Sequence, residues 1–391
     1  MTKKEDKKAI TWLTLAHLAN DTYSGFLNPI MPFIAAKLSF SVAVAAVIMS
    51  IAQICASMLQ PIFGFFADNM LKRFFIFWGL ILGSLFVPLA TNAPNVWILT
   101  IFVILGNLGG SLFHPQALGF ISRFSKMNFV SNMGIFISAG TVGYSLGPII
   151  SASVAEHLGF EKIPYLAIAG IILALLMFKF VPKISDKGII INQKQFLDSF
   201  KDILSNKSML ILIIVSVMKS LITNSSMILL PFLWKNMGHS PTYIGFALFL
   251  FLIMGGVASL TSAKLEAKIG AQKVFYISMI LTLPIMTLFL LTYEAHPVLS
   301  VAIFIVMGFT TMLAQPVMIV MSQRILPDYK SIVSGFINGF SWGIVAIFLT
   351  VIGFLAQEFG IAKVLFTASF LPVIFAYFVK FLPDYVSAAE K

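Results

Sequence analysis

Ile-Gly-Phe-Ala-Leu-Phe-Leu-Phe-Leu-Ile-Met-Gly-Gly-Val-Ala-Ser-Leu, residues 244–260, contains no charged side chain. A run this long and apolar belongs in a protein core or in lipid. The whole chain of 391 residues decides between them: 59% is hydrophobic and 10% charged, against roughly 25% charged in a soluble domain. So little polar material cannot cover a surface facing water. In lipid every backbone N–H and C=O must be satisfied internally, which leaves helices and closed barrels. Barrel strands alternate apolar and polar over roughly 10 residues, whereas the runs at 210–217 and 244–260 are unbroken. The fold class expected is therefore all-α and integral to the membrane.

Windows of roughly 20 residues place twelve transmembrane helices at 10–38, 41–67, 74–93, 96–123, 129–155, 163–182, 209–235, 241–263, 273–293, 297–324, 331–356 and 362–382. The first follows a basic stub, 1–8. It is longer than the roughly 7–15 residues of a signal-peptide core and is read as retained. Residues 183–208 form the long polar linker, within which Phe196, Leu197, Phe200, Ile203 and Leu204 recur at helical spacing. That stretch is expected to lie on the membrane surface as an amphipathic helix. The domains expected are a six-helix bundle over 1–182, a cytoplasmic linker over 183–208 and a second six-helix bundle over 209–391.

The net charge of +11 comes from lysines and arginines scattered over short loops, so it points to topology and not to nucleic acid. With both termini cytoplasmic, all but five of the 26 basic residues fall on the cytoplasmic side. Lys37, Lys162, Lys235 and Lys363 fall opposite, and Lys219 falls inside the seventh helix. That bias sets the expected orientation in a bacterial inner membrane. The single cysteine, Cys55, rules out an intramolecular disulfide and suggests no catalysis.

The two halves repeat. A shift of 199 residues lays Pro32-Phe33-Ile34 on Pro231-Phe232-Leu233 and Ser41 on Ser240. A shift of 201 lays Pro115 on Pro316, Arg123 on Arg324, Gly134 on Gly335 and Gly159 on Gly360. A register kept through several helices indicates two parallel six-helix halves. This layout is similar to the major facilitator superfamily, in which the substrate site lies between the halves near the bilayer midplane.

Polar residues inside the spans cost at least ~2.5 kcal/mol each when ionisable, so they mark cavities and function. His17, Asn20, Asp21, Ser24 and Asn28 share one face of the first helix. Ser216, Lys219, Ser220, Thr223 and Asn224 repeat the stripe on the seventh, where Lys219 corresponds to Asn20. At 1.5 Å per residue, Asp21 and Lys219 both lie roughly 15 Å deep. His114 in the fourth helix is the third ionisable candidate, and Gln315 is its repeat partner. Asp21, His17 and His114 are the expected proton-coupling groups. Asn20, Ser24, Gln53, Lys219, Thr223, Asn224 and Gln315 are the expected substrate-binding groups.

Gly64, Asp68, Lys72 and Arg73 resemble the superfamily's loop motif between helices 2 and 3, although Ala267 stands at the acidic position of the second copy. Gly143, Gly147 and Pro148, with Gly140 before them, resemble its antiporter motif in helix 5, the final glycines being replaced by Ser151 and Ala152. The resemblance implies gating roles for Gly64, Asp68, Lys72, Arg73, Gly143, Gly147 and Pro148. Phe102 stands where the superfamily's helix 4 arginine would be.

Closer strings resemble the fosmidomycin-resistance branch. His17-Leu18-Ala19-Asn20-Asp21 is similar to its opening H-L-x-N-D, and Leu59-Gln60-Pro61 before Gly64 and Asp68 is similar to its L-Q-P-x-x-G-x-x-x-D. Ser111-Leu112-Phe113-His114-Pro115 is similar to its S-x-F-H-P, and Ser145-Leu146-Gly147-Pro148 matches its helix 5. Gln116 replaces the glutamate usual after F-H-P. The resemblance implies an inner-membrane drug-resistance pump that exchanges a small molecule for protons. The same residues equally serve a proton-coupled importer of a small anion, or a receptor that transports nothing. No phosphate-binding loop, cofactor motif or metal motif is present, so neither ATP nor enzymatic chemistry is expected. The partners expected are a small-molecule substrate, protons and the lipid bilayer, with the chain a monomer and no nucleic acid.

Overall fold

The computed structural model of the protein describes residues 3–60, 62–63, 66, 73–124, 129–182, 193–327 and 330–383. Every regular element among them is helical. The first part of the chain forms α1 (Lys3–Ser24), α2 (Leu27–Lys37), α3 (Val42–Ser57), α4 (Phe74–Ala90), α5 (Val96–Phe124), α6 (Phe129–His157) and α7 (Ala167–Phe180). Then come the amphipathic α8 (Gln193–Ser205), α9 (Lys207–Asn236), α10 (Pro241–Ile269), α11 (Ala271–Ile280), α12 (Thr282–Thr292), α13 (Pro297–Met312) and α14 (Gln315–Ile325). α15 (Lys330–Gly335), α16 (Ser341–Phe359), α17 (Ile361–Ala368) and α18 (Phe370–Ala376) complete the chain, with a π-helical turn at Phe336–Phe340.

Nine stretches of the described residues are long and apolar enough to cross a membrane, and α3 and α4 are apolar but shorter. The expected twelve are not reached on this measure. The first span is interrupted after Ser24, and the second runs into residues outside the described set. The outward faces are what lipid requires: Leu260 is 74% exposed and Leu291 73%.

Proline explains most interruptions. It lacks the N–H that would bond the carbonyl four residues back, and its ring crowds that carbonyl. Pro29 lies four residues after Gly25, where α1 gives way to α2. Pro284, Pro316 and Pro372 stand in the same relation to Ile280, Met312 and Ala368, the last residues of α11, α13 and α17. Pro88, Pro115, Pro148 and Pro231 sit inside continuous helices. Pro115 and Pro316 are repeat partners with opposite outcomes, and nothing in the structure explains the difference.

Two compact units divide the chain. One contains Met1–Phe40, Ile51–Ile191 and Gly238–Phe249; the other contains Ser41–Ser50, Asn192–Met237 and Leu250–Lys391. In the first unit, the Glu156 carboxylate accepts a 2.8 Å bond from the Thr242 N–H at the start of α10, and a Cβ on Gly245 would meet Ala152 and Pro148. In the second, Gln357 Oε1 accepts a 3.3 Å bond from the Ala43 N–H at the start of α3, and a Cβ on Gly353 would meet Ala46. The 199- and 201-residue shifts carry Ala43, Ala46, Ala152 and Glu156 onto Thr242, Gly245, Gly353 and Gln357. One helix-capping contact is thus built twice, so the repeat extends to packing. Each satisfies an N–H that a helix start leaves without an internal partner.

Helix pairs in the first unit approach closely through glycine, as membrane helices do when no solvent drives them together. A Cβ on Gly79 of α4 would lie 2.7 Å from the Gly109 carbonyl of α5. On α6, Gly143 and Gly147 face the backbone of α1 at Leu18 and Thr22. Leu13, Ile76, Leu80, Phe113, Ile121, Phe136 and Met177 form the buried apolar cluster around them. In the second unit, α8 sets its Phe200 ring 4.6 Å from that of Phe336 and buries Ile203, so part of the linker's apolar stripe packs on protein.

Candidate functional site

α1 brings His17, Asn20 and Asp21 to the wall formed by α5 and α6. His17 Nδ1 lies 2.8 Å from the backbone carbonyl of Phe136, and its ring stacks on the Phe136 ring at 4.1 Å. The imidazole reaches that carbonyl because Gly140, one turn along α6, has no side chain. A Cβ there would lie 2.6 Å from His17 Nε2 and 2.7 Å from Asp21 Oδ2.

The protonation of this cluster follows from its donors and acceptors. A carbonyl only accepts, so His17 Nδ1 carries a hydrogen and donates. His17 Nε2 then faces Asp21 Oδ2 at 3.2 Å. Two lone pairs do not meet at that distance without a proton between them. Either Asp21 is ionised against an imidazolium, or the acid donates to a neutral ring; both states hold one proton on the pair. His114 Nε2 approaches the other oxygen, Asp21 Oδ1, at 3.5 Å, and Asn20 Nδ2 donates to Oδ1 at 3.0 Å. His17 is 7% exposed and Asn20 1%, whereas the His114 side chain is 26% exposed, so it is the more open end of the cluster. One donor atom from each of His17, Asp21 and His114 lies within 4.8 Å of the others. That spacing accommodates shared protons and also a small cation, although no metal motif was read from the sequence.

The second unit holds the repeat-related arrangement with the opposite charge. Lys219 of α9 is 2% exposed, and its Nζ lies 3.5 Å from Gln315 Oε1 at the start of α14. The residues matching His17, Asn20 and His114 in the shifted register are Ser216, Lys219 and Gln315. Thr223 is buried with an unpaired hydroxyl, while Asn224 donates back to the Ser220 carbonyl at 3.0 Å.

The remaining expected residues are placed as follows. The Ser24 hydroxyl donates to the Asn20 carbonyl at 3.1 Å. Gln53 donates to Ser57 on its own helix at 2.7 Å. Gly64, Asp68 and Lys72 lie outside the described residues. Arg73 is buried, donates to the Phe178 and Val181 carbonyls that end α7, and sets its guanidinium 4.5 Å from the Phe178 ring centroid. A cation there satisfies carbonyls that a helix end leaves free. Gly143, Gly147 and Pro148 line the contact between α6 and the α1–α2 bend, where a Cβ on Gly25 would lie 2.9 Å from Pro148. Gln116, which replaces a glutamate of the branch, accepts the Ile76 N–H at 2.9 Å and serves the start of α4.

Sequence reasoning missed the Phe136 carbonyl and the role of Gly140 beneath it. The only signal was indirect: a glycine four residues after a carbonyl leaves that carbonyl's second lone pair accessible.

Comparison with known proteins agrees with this architecture. The family model described as Major Facilitator Superfamily matches residues 13–348 and 212–391. The Fosmidomycin resistance protein of Escherichia coli is 25% identical over 389 residues, covering 95% of this chain and 92% of that one. The Multidrug resistance protein MdtG of Klebsiella pneumoniae is 22% identical over 246 residues, 61% of this chain and 59% of that one. Among solved structures, a nucleoside transporter, NupG, superposes with a TM-score of 0.77 at 15% identity, covering 96% of this chain and 98% of that one. A D-xylose-proton symporter gives 0.75 at 14% identity, covering 98% and 99%. At these identities the structural likeness concerns the fold alone.

Proposed function

The chain belongs to the major facilitator superfamily, and on that premise we propose that it is a proton-coupled exporter, expelling a drug or small metabolite by antiport with protons. It would work as a monomer in a bacterial inner membrane with both termini cytoplasmic, its halves 1–182 and 209–391 joined by the linker 183–208. One observation supports proton coupling above the rest: a half-buried carboxylate, Asp21, held between the Nε2 atoms of two histidines at 3.2 and 3.5 Å. Such a group takes up or releases a proton with little rearrangement. In this reading Asp21 is the proton carrier, His17 shares its proton, and His114 is the exchange point. The names of the Escherichia coli and Klebsiella pneumoniae relatives support the outward direction.

Antiport requires that protons and substrate exclude each other at the site, and coupling of this kind is reciprocal. Ligands for the purified protein are found by thermal shift, because a bound ligand raises stability by mass action. Their affinity is then measured between about pH 5.5 and about pH 8.5. Exchange of one proton for one ligand makes affinity fall as pH drops, by up to about tenfold per unit. Affinity that rises as pH drops would establish symport instead. Binding without any movement across liposomes would make the protein a receptor.

A further inference from the structure

We propose that Lys219, with the hydroxyls of Ser216 and Thr223 and the amide of Gln315, forms a subsite for an anionic oxygen group, of the phosphonate, phosphate or carboxylate class. This deepens the transporter reading and rests on it, since it assigns the class of substrate that reading leaves open.

The argument begins with a count of donors. An ammonium carries three N–H donors. Lys219 is 2% exposed, and its Nζ donates to Gln315 Oε1 at 3.5 Å, the outer limit of a hydrogen bond. Within its own unit, no described carboxylate forms an ion pair with it. A buried cation left in that state is costly inside a membrane, and such residues generally face a pathway or a ligand.

The hydroxyls are the second, independent observation. Ser216 and Thr223 lie three residues before and four after Lys219, on the same face of α9. They are 1% and 4% exposed, and neither oxygen has a hydrogen-bond partner. A buried serine or threonine in a helix ordinarily bonds the carbonyl one turn back. Ser226, Thr282 and Thr311 of this chain do so, at 2.8, 3.1 and 2.7 Å. The two hydroxyls lie seven residues apart, roughly 10.5 Å along α9, on either side of an under-bonded ammonium, so an anionic group held by Lys219 meets one of them and a further acceptor atom of the solute meets the other. Ser225 is also unpaired, but its position in the helix turns it off this stripe.

The acceptor is a small solute and not a lipid headgroup. Lys219 is twelve residues into α9, which begins at Lys207; at 1.5 Å per residue that is roughly 18 Å from the nearer helix end. Gln315, half-buried, is the more open side of the group. Its carbonyl oxygen is the acceptor an entering anion would displace, after which the amide can turn its NH2 toward the same ligand. The first unit carries His17 and His114 at the positions corresponding to Ser216 and Gln315, and its acid, Asp21, one residue past the position corresponding to Lys219. The two repeats thus offer a proton site and an anion site from one inherited geometry.

The test uses the whole purified protein in detergent, with phenylphosphonate as probe and benzyl alcohol as its uncharged counterpart. Phenylphosphonate is expected to raise the melting temperature of the wild type and benzyl alcohol to leave it unmoved. Lys219→Met should lower phenylphosphonate affinity by at least about tenfold, the size expected for losing a hydrogen bond to a charged group. At least one of Ser216→Ala and Thr223→Val should weaken it several-fold, and neither should lower the melting temperature of the unliganded protein, because neither oxygen has a partner to lose. No response of the wild type to phenylphosphonate would overturn the proposal, as would equal binding by Lys219→Met. Either result leaves the transport reading standing, because that reading is judged by flux across liposomes. Binding that depends on Lys219 in a protein that moves no solute would sink the transport reading and keep the anion site.

Discussion

Asp21→Asn is expected to abolish accumulation driven by a pH gradient while leaving ligand binding measurable. Asparagine is nearly isosteric with the acid. Its oxygen still accepts from Asn20, which donates to Asp21 Oδ1 at 3.0 Å, and its amide can donate to His17 Nε2 where the acid now shares a proton. The geometry is therefore kept and only the titration is lost. For one proton per substrate, a difference of one pH unit supplies about 1.4 kcal/mol, enough for about tenfold accumulation. The variant should show a ratio near one in proteoliposomes under the same gradient. Exchange of labelled for unlabelled substrate, which needs no net proton movement, should persist. Asp21→Glu should recover part of the driven transport, since a longer carboxylate still titrates. Full driven accumulation by Asp21→Asn would remove Asp21 from the proton pathway and leave the histidines to be tested alone.

The fold was readable because lipid imposes one rule on the backbone, and long uncharged runs such as 244–260 meet it only as helices. The repeat was readable because proline, glycine and serine positions survive when other residues drift. The register that aligned Gly159 with Gly360 also aligns the Glu156 and Gln357 caps, a correspondence seen only once the bonds are drawn. The site was half legible. A histidine and an aspartate four residues apart must share a helical face, so the 3.2 Å contact between His17 and Asp21 followed from spacing. That His114 would close on the same carboxylate, at 3.5 Å, was not foreseen, because the sequence marks it only as an ionisable residue inside the fourth helix. The Phe136 carbonyl carries no side-chain signal at all. The helix breaks were missed because hydropathy windows do not register a missing N–H, and one proline such as Pro29 or Pro316 barely moves the average of a long apolar window. Gln116 was a different kind of omission. The sequence shows only that it stands where the branch usually has a glutamate, and not that its oxygen accepts the Ile76 N–H.

Gly143→Ala is expected to be among the most destabilising single-methyl changes in the chain, and to impair transport beyond what its stability cost explains. The added Cβ would meet the Leu18 carbonyl oxygen, with the Leu18 carbonyl carbon at 2.9 Å and its Cα at 3.1 Å. These are backbone atoms of α1, which cannot rotate aside as a side-chain end can. Overpacking of a tight contact costs about 1–3 kcal/mol, here with α1 pushed off α6. Leu18 sits between His17 and Asp21 in sequence, so that displacement also moves the imidazole from the Phe136 carbonyl and the carboxylate from His114. Gly134→Ala on the same helix supplies the control, because nothing lies within 4 Å of its added Cβ. That substitution should be neutral or slightly stabilising, since alanine is the better helix former by about 1 kcal/mol. Thermal unfolding of both variants in detergent, followed by flux in liposomes for whichever folds, separates packing from function. If Gly143→Ala melts with the wild type and transports normally, α1 and α6 are not held at the distance described, and the proton shared by His17 and Asp21 loses its structural basis.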